Sequence, residues 1–347
     1  MFHRVKWTIR LVWYLSLGIW ALPGWLCADT PLPPATDTSA TQASTSSQIQ
    51  SPSTPFVEGD IRFSLGARFD SLDWSTAGSR DHYPNILSEL TWTDIHSHQL
   101  TLEGSLTLGP HFYGRGAVSY ASISSGQVRD SDYDGDNRTL EYSRSISQTR
   151  DDNMWGFLAG IGPAFRLGQR RLVLAPLMGF AVHRQNLRIT DGIQVISSPP
   201  RTPPLGPLDD RLNSTFQAQW KGPWVGMDLR YKTAQHPLRS AMEFGLSLEY
   251  HFAVSYSAEA NWNLRSDLQH PVSFRQSAQG QGLLINGIWS IQLHRRVGLS
   301  FGLKYQNWTT SSGTVYFYYA DGYAPQARLN SANWESTSFS MGVIYTF

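Results

Sequence analysis

Hydrophobic and polar positions alternate along most of the chain. Ile61, Phe63, Leu65, Ala67 and Phe69 are interleaved with Arg62, Ser64, Gly66, Arg68 and Asp70. The same period runs from Met242 to Tyr256, from Val297 to Tyr305 and from Phe339 to Phe347. Period two belongs to strands and not to helices. Ordinary strands run about 5–6 residues, whereas a strand that crosses a membrane needs roughly 9–11. These runs are of the second kind, with one face for lipid and one for a lumen. The pattern predicts ten strands, at about 58–74, 85–108, 111–126, 138–167, 172–192, 213–233, 239–263, 272–293, 297–311 and 331–347. Tight connections at 109–110, 168–171, 234–237 and 294–296 alternate with longer ones at 75–84, 127–137, 193–212, 264–271 and 312–330. An even strand number with strictly alternating short and long connections predicts an all-β fold, a transmembrane antiparallel up-and-down β-barrel. Its short turns face the periplasm and its long loops face outward.

Composition sharpens this picture. Charged residues make up 16% of the 347, below the roughly 25% of soluble domains. Aromatics are plentiful, with 13 Trp, 15 Tyr and 16 Phe, and they recur at strand ends as interfacial girdles require. The mean hydropathy of -0.31 is too polar for a bundle of membrane helices but suits a barrel, because half of each strand faces away from lipid. Lys+Arg 28 against Asp+Glu 27 gives no electrostatic case for nucleic acid. One cysteine, Cys27, excludes a disulfide scaffold and a Cys-ligated zinc site. Barrels of about eight to ten strands are filled by side chains, which disfavours a porin. Arg62, Arg68, Glu243, Glu249 and Lys304 are expected to fill the lumen with charge pairs.

The N-terminus is of a different character. His3, Arg4, Lys6 and Arg10 precede an uncharged apolar run over 11–26, then Cys27-Ala28-Asp29. Residues 1–28 therefore read as a cleaved signal peptide, and export implies the bacterial outer membrane. A membrane anchor and a lipoprotein Cys27 are weaker alternatives. Residues 29–57 form a Ser/Thr/Pro/Gln tract too poor in apolar side chains to bury a core, a disordered tether. The barrel occupies 58–347.

Two loops carry candidate chemistry. The second long loop holds Asp130-Ser-Asp132-Tyr-Asp134-Gly135-Asp136 and, further on, Glu141. The fourth holds Arg265-Ser-Asp267-Leu-Gln-His270. The first run matches D-x-D-x-D-G-x5-E, the pattern of a calcium loop with Asp130, Asp132, Asp134, Asp136 and Glu141 as oxygen ligands. Strand-like flanks argue against an EF-hand but leave a calcium loop open. A plain solvated acidic loop is the simplest alternative. Four carboxylates so close repel one another, so either a cation compensates or some of them are hard to ionise. His183 and His251 read as lumen or strand-face residues. His96 and His98 lie two apart on one strand and read as solvated without a third ligand. The Pro-rich 198–207 stretch reads as an extended surface loop.

The layout resembles the omptin family of ten-stranded outer-membrane proteases. The resemblance spreads over 58–347, with its best local pieces at Gln219-Trp-Lys-Gly-Pro-Trp224, Asp130-Ser-Asp132 and Tyr345-Thr-Phe347. It implies catalytic roles for Asp130 and Asp132, holding a water and the scissile peptide, and for an Asp267/His270 couple activating that water. The spacing here is Asp-x-x-His, one residue longer than the family's Asp-x-His, and one residue turns a side chain to the other face of an extended chain. The resemblance also implies a substrate-binding acid, for which Asp73 is the candidate, and lipopolysaccharide bound by Arg184, with Lys221 nearby. Arg265 stands where cleavage beside basic residues calls for an acid. Two functions stay open. One is a cell-surface endopeptidase with peptide or protein substrates, needing no cofactor beyond lipopolysaccharide as an activating lipid. The other is a non-catalytic barrel for adhesion, ligand contact or surface structure, with Ca2+ as a ligand of the acidic loop.

Overall fold

The computed structural model describes residues 57–78, 81–109, 111–168, 171–233 and 241–347. The signal-peptide reading and the tether reading up to residue 56 fall outside these. Among the described residues, fourteen strands form one antiparallel sheet. In chain order they are β1 Val57–Thr76, β2 Ser88–Leu108, β3 Phe112–Gly135, β4 Thr139–Gln148, β5 Asn153–Pro163, β6 Phe165–Leu167 and β7 Leu172–Ile196. They continue as β8 Gly206–Pro207, β9 Ser214–Lys232, β10 Met242–Asn261, β11 Phe274–Gln292, β12 Val297–Thr310, β13 Gly313–Phe317 and β14 Gln326–Thr346. β1 pairs with β14 from Asp60↔Thr346 to Thr76↔Leu329, which closes the sheet. β4, β5 and β6 together make one stave between β3 and β7, and β12 with β13 makes another between β11 and β14. The result is a ten-stave up-and-down barrel.

Three expectations change in detail. The stretch 127–137 is not a loop: β3 continues to Gly135, and only Asp136–Arg138 turn before β4. Cross-strand pairing with β2 carries the chain through, down to Ser88↔Asp132. The fourth stave is broken twice, around 149–152 and at Ala164, where Pro163 has no amide hydrogen to continue a ladder. The last long connection carries β13, which bridges β11 and β14.

The faces sort by height. Outward residues of the periplasmic half are apolar and exposed, among them Ile61, Phe63, Leu102, Val118, Ile161, Met178, Val225, Phe244, Leu283 and Val343. Above them the outward residues turn polar: Ser122, Ser124, Gln127 and Arg129 on β3, Lys221 and Gln217 on β9, Glu259 on β10 and Arg275 on β11. The change marks the outer edge of the lipid belt, so the barrel projects beyond it. Inside, the order is reversed. The lower lumen is a lattice of ion pairs: Arg62–Glu103 at 2.9 Å, Arg115–Glu249 at 2.7 Å, Arg230–Asp60 at 2.6 Å and Arg68–Asp70 at 2.8 Å. Lys304 lies 3.8 Å from Glu103. Such charges are costly to bury and are tolerated because each has a partner. A cavity of about 1130 Å³ opens below them at the periplasmic end.

The upper lumen is filled with apolar side chains. Leu72, Trp74, Trp92, Ile123, Met154, Leu187, Phe216, Trp220, Tyr256, Phe274, Trp308 and Trp334 belong to one contiguous cluster. Every stave contributes to it. Trp308 and Trp334 stack at 5.6 Å, and Trp220 lies 4.5 Å from Tyr256. Aromatic rings at these separations pack as in a protein core, and this layer closes the barrel between the periplasmic cavity and the outer mouth.

Candidate functional site: the acidic pair and the laced outer mouth

Asp130 and Asp132 sit on β3 opposite Leu90 and Ser88 of β2. Leu90 is in the lumen cluster, and directly paired residues share a face, so both carboxyls point into the mouth above the aromatic layer. Ser88 and Ser143 flank Asp132 in the register and donate hydrogen bonds to it. Asp130 Oδ1 is shut off from solvent and has no hydrogen-bond partner. Burial, and then the neighbouring Asp132, push the Asp130 carboxyl well above the usual carboxylate range; burial also raises Asp132. The Arg265 guanidinium opposes both shifts from across the mouth.

The other half of the expected constellation is engaged elsewhere. Asp267 accepts two hydrogen bonds from Arg265, Nε at 2.8 Å and Nη2 at 2.7 Å, and this holds its carboxyl below the usual range. His270 Nδ1 lies 2.7 Å from Asn261 Oδ1, and His270 Nε2 lies 3.1 Å from the Arg265 carbonyl oxygen. Both ring nitrogens are therefore occupied within the fourth loop. Among the described residues no hydrogen bond joins His270 to Asp267, Asp130 or Asp132. Asp73 lies on the outer wall, since its neighbours Leu72 and Trp74 face the lumen. There it accepts a hydrogen bond from Asn333 Nδ2 at 2.8 Å. It is not brought to the acidic pair.

The calcium pattern is spread along a hairpin and is not wrapped around a point. Asp134 is held by Arg201 at 2.8 Å, Glu141 pairs with Arg144, and Asp136 accepts the Asn85 amide at 2.7 Å. No group of three or more His, Cys, Asp or Glu able to hold a metal ion occurs among the described residues. Arg184 and Lys221 face outward just above the lipid belt. Val182 pairs with Lys221 and Arg184 with Gln219, which makes the two cations diagonal neighbours on β7 and β9. Arg184 Nη2 also donates to Gln217 at 2.7 Å.

Residues without any periodic signal join the five outer loops into a ring. Asn85 and Asn137 exchange hydrogen bonds at 3.0 and 2.8 Å, tying the first loop to the second. Arg201 binds both oxygens of Asp134 and stacks 3.5 Å over Tyr142, tying the third to the second. Asn263 accepts from the Asn213 amide at 2.9 Å and donates to the Arg211 carbonyl at 2.8 Å, tying the fourth to the third. Leu268 bridges Tyr319, and the Ala320 amide donates to the Asp267 carbonyl at 2.9 Å, tying the fifth to the fourth. Asn330 donates to the Asn85 carbonyl at 2.9 Å, which closes the ring. Asparagine is common in any turn, so sequence alone does not single these residues out.

Comparison with known proteins agrees with the architecture. The outer membrane protease OmpT of Escherichia coli is similar in structure, with a TM-score of 0.67 at 15% identity over 84% of this chain and 97% of that one. The translocator domain of the autotransporter NalP from Neisseria meningitidis aligns at 12% identity over 85% of this chain and 90% of that one, with a TM-score of 0.34. A Pseudomonas aeruginosa FadL homologue aligns at 10% identity over 83% and 90%, with a TM-score of 0.26. Identity this low speaks for the fold alone, and the last two scores are too low to bear on it. No curated protein sequence matches the chain. The model of the Protochlamydia outer membrane protein family matches residues 62–347. The chain is a bacterial outer-membrane β-barrel and belongs to the Protochlamydia outer membrane protein family.

Proposed function

We propose that this barrel is a non-catalytic contact protein of the cell surface, whose working part is the rigid outer face formed by its loops. The observation that carries this reading is the closed ring of loop-to-loop hydrogen bonds above a lumen filled with aromatic side chains. A protease needs a cleft that admits an extended peptide and a base within hydrogen-bond reach of the attacking water. Here the His270 nitrogens are spent on Asn261 and a carbonyl, and Asp267 is spent on Arg265. One observation favours the endopeptidase reading: the buried, unpartnered Asp130 oxygen beside Asp132, since perturbed carboxyls gather at functional sites. The test is hydrolysis of a fluorogenic peptide library by refolded protein with lipopolysaccharide. The contact reading expects no turnover in wild type or in His270→Ala. Turnover in wild type that His270→Ala abolishes would establish the endopeptidase.

Lipopolysaccharide remains part of the proposal. We infer that Arg184 and Lys221 meet its phosphates, since they are diagonal neighbours on the outward face above the apolar band. Arg184→Ala with Lys221→Ala is expected to weaken lipopolysaccharide binding several-fold in detergent titrations, and unchanged binding would remove the assignment.

A further inference from the structure

A groove of about 500 Å³ lies on the outer wall above the apolar band, across β9, β10 and β11 and bounded by β7 and β13. Strand pairing explains its shape. One cross-strand row holds Gln217, Glu259, Arg275 and Tyr316, each opposite the next. A second row, two residues further down each strand, holds Arg184, Gln219, Ser257 and Ser277. Ala218, Ala258, Phe274 and Val315 face the lumen, so the side chains of both rows face out. Rows two residues apart stand roughly 7 Å from one another. Long side chains fill the upper row, and two serines occupy the middle of the lower one. The wall is dented where the serines stand.

The lining has the chemistry that a sugar ring requires. A pyranose offers hydroxyls in fixed directions and patches of C–H between them. Hydroxyls are met by groups that donate and accept at once, and amides and serines do both. Among the described residues, the Gln219 amide and the hydroxyls of Ser257 and Ser277 make no hydrogen bond with another side chain, which leaves them for a ligand. The groups around them are already fixed. Arg184 Nη2 donates to Gln217 at 2.7 Å, and Arg275 Nε lies 2.9 Å from a Glu259 oxygen. The Arg275 guanidinium also lies 5.8 Å from the Tyr318 ring centroid. Side chains held in place before binding lose little freedom on it. Tyr316 closes the upper row and is 41% exposed. The face of an aromatic ring is negative and attracts the weakly positive C–H patches of a sugar.

Other occupants fit less of the lining. A lipid tail finds no apolar floor, and a bare phosphate would use a cation while leaving the amide, the hydroxyls and the ring idle. Within the groove Arg275 and Glu259 offset each other and Arg184 is the remaining charge. Arg188, Lys221 and Arg328 stand outside the lining. An acidic substituent is therefore accommodated, and a neutral sugar is not opposed. From Gln217 to Tyr316 the upper row spans three strand spacings, roughly 14 Å, and the volume lies in the range of small-molecule sites. We propose that this groove binds a saccharide chain, either the sugar head of an outer-leaflet glycolipid or a soluble glycan. The proposal depends neither on contact through the outer loops nor on peptide hydrolysis.

The full chain, refolded in detergent, is titrated calorimetrically with chitohexaose, with the lipid-free, dephosphorylated core oligosaccharide of lipopolysaccharide, and with inorganic phosphate. At least one of the two sugars is expected to bind. Binding of the core oligosaccharide alone assigns the groove to a glycolipid head, binding of chitohexaose alone to a soluble glycan, and binding of both to either source. Tyr316→Ala should weaken sugar binding about fivefold, the scale of one lost ring contact, and Tyr316→Phe should keep it. Ser277→Trp fills the dent from an outward position and should abolish binding without lowering the melting temperature. Ser122→Trp, on the polar wall of β3 outside the groove, should bind as wild type does. Binding of phosphate alone, binding of neither sugar, or wild-type sugar affinity in Tyr316→Ala or Ser277→Trp would overturn the proposal.

Discussion

Asp130 shows how one residue can be placed and decided by its surroundings. Ala121 and Ile123 face the lumen, and simple alternation from them would turn Asp130 outward; a register shift at Ser124, opposite His96, brings Val128, Asp130 and Asp132 to the inward face instead. The electrostatics of Asp130 follow from what no pattern contains: a buried oxygen without a partner, Asp132 beside it and Arg265 opposite. A carboxyl raised in the folded state binds its proton more tightly there than in the unfolded chain. Stability then falls as pH rises from the unfolded value toward the folded one, and stays reduced above it. Asp130→Asn removes the charge and keeps the shape. It is expected to raise unfolding free energy by about 1–2 kcal/mol at pH 8, the scale of an unsatisfied buried polar group, and to make no difference near pH 4. Urea unfolding in detergent at both pH values checks this. His270 carries the opposite lesson. The resemblance implies a pairing with Asp267 that the Asp-x-x-His spacing works against, and the intervening turn directs the ring to Asn261 and leaves Asp267 to Arg265.

At the level of elements, strand number and order were legible because the period of two runs over long stretches of the staves, although bulges shift its phase, as between Asp70 and Leu72 and between His251 and Val254, and each face changes character with height. Ends were less legible. Polar residues stand on both faces here, Arg129 outward and Asp130 and Asp132 inward, so this stretch looked like loop although its backbone stays paired with β2 as far as Asp132. The loop ring was illegible for a simpler reason: its bonds join residues some fifty or more positions apart, such as Asn85 with Asn137, and any asparagine in a turn looks alike. Asn85→Ala removes two of these bonds. With roughly 1 kcal/mol for each pair of such bonds after solvent competition, hydrogen exchange at Asn137 and Leu140 should quicken by about fivefold, while global unfolding of the barrel is unchanged. Unaltered exchange would mean that the loops hold their shape without the clamp.

Over the whole molecule, polar and apolar regions are arranged in opposite senses inside and out. Below, the wall is apolar toward lipid and the lumen is charged; above, the wall is polar and the lumen is packed with tryptophan, phenylalanine and tyrosine. The aromatic richness seen in composition thus has two destinations, the lipid face and the closure of the upper lumen. Only the first was expected from the girdle pattern. The second arises because inward positions on the upper staves, such as Trp74, Trp92, Trp220, Trp308 and Trp334, converge only once the barrel closes. It is also what moves function from the lumen to the outer face. The most direct test of that account is planar-bilayer conductance of the refolded full chain. Wild type should show no discrete steps, and the Trp220→Gly, Trp308→Gly double variant should open them; steady channel steps from the wild-type protein would contradict a sealed barrel.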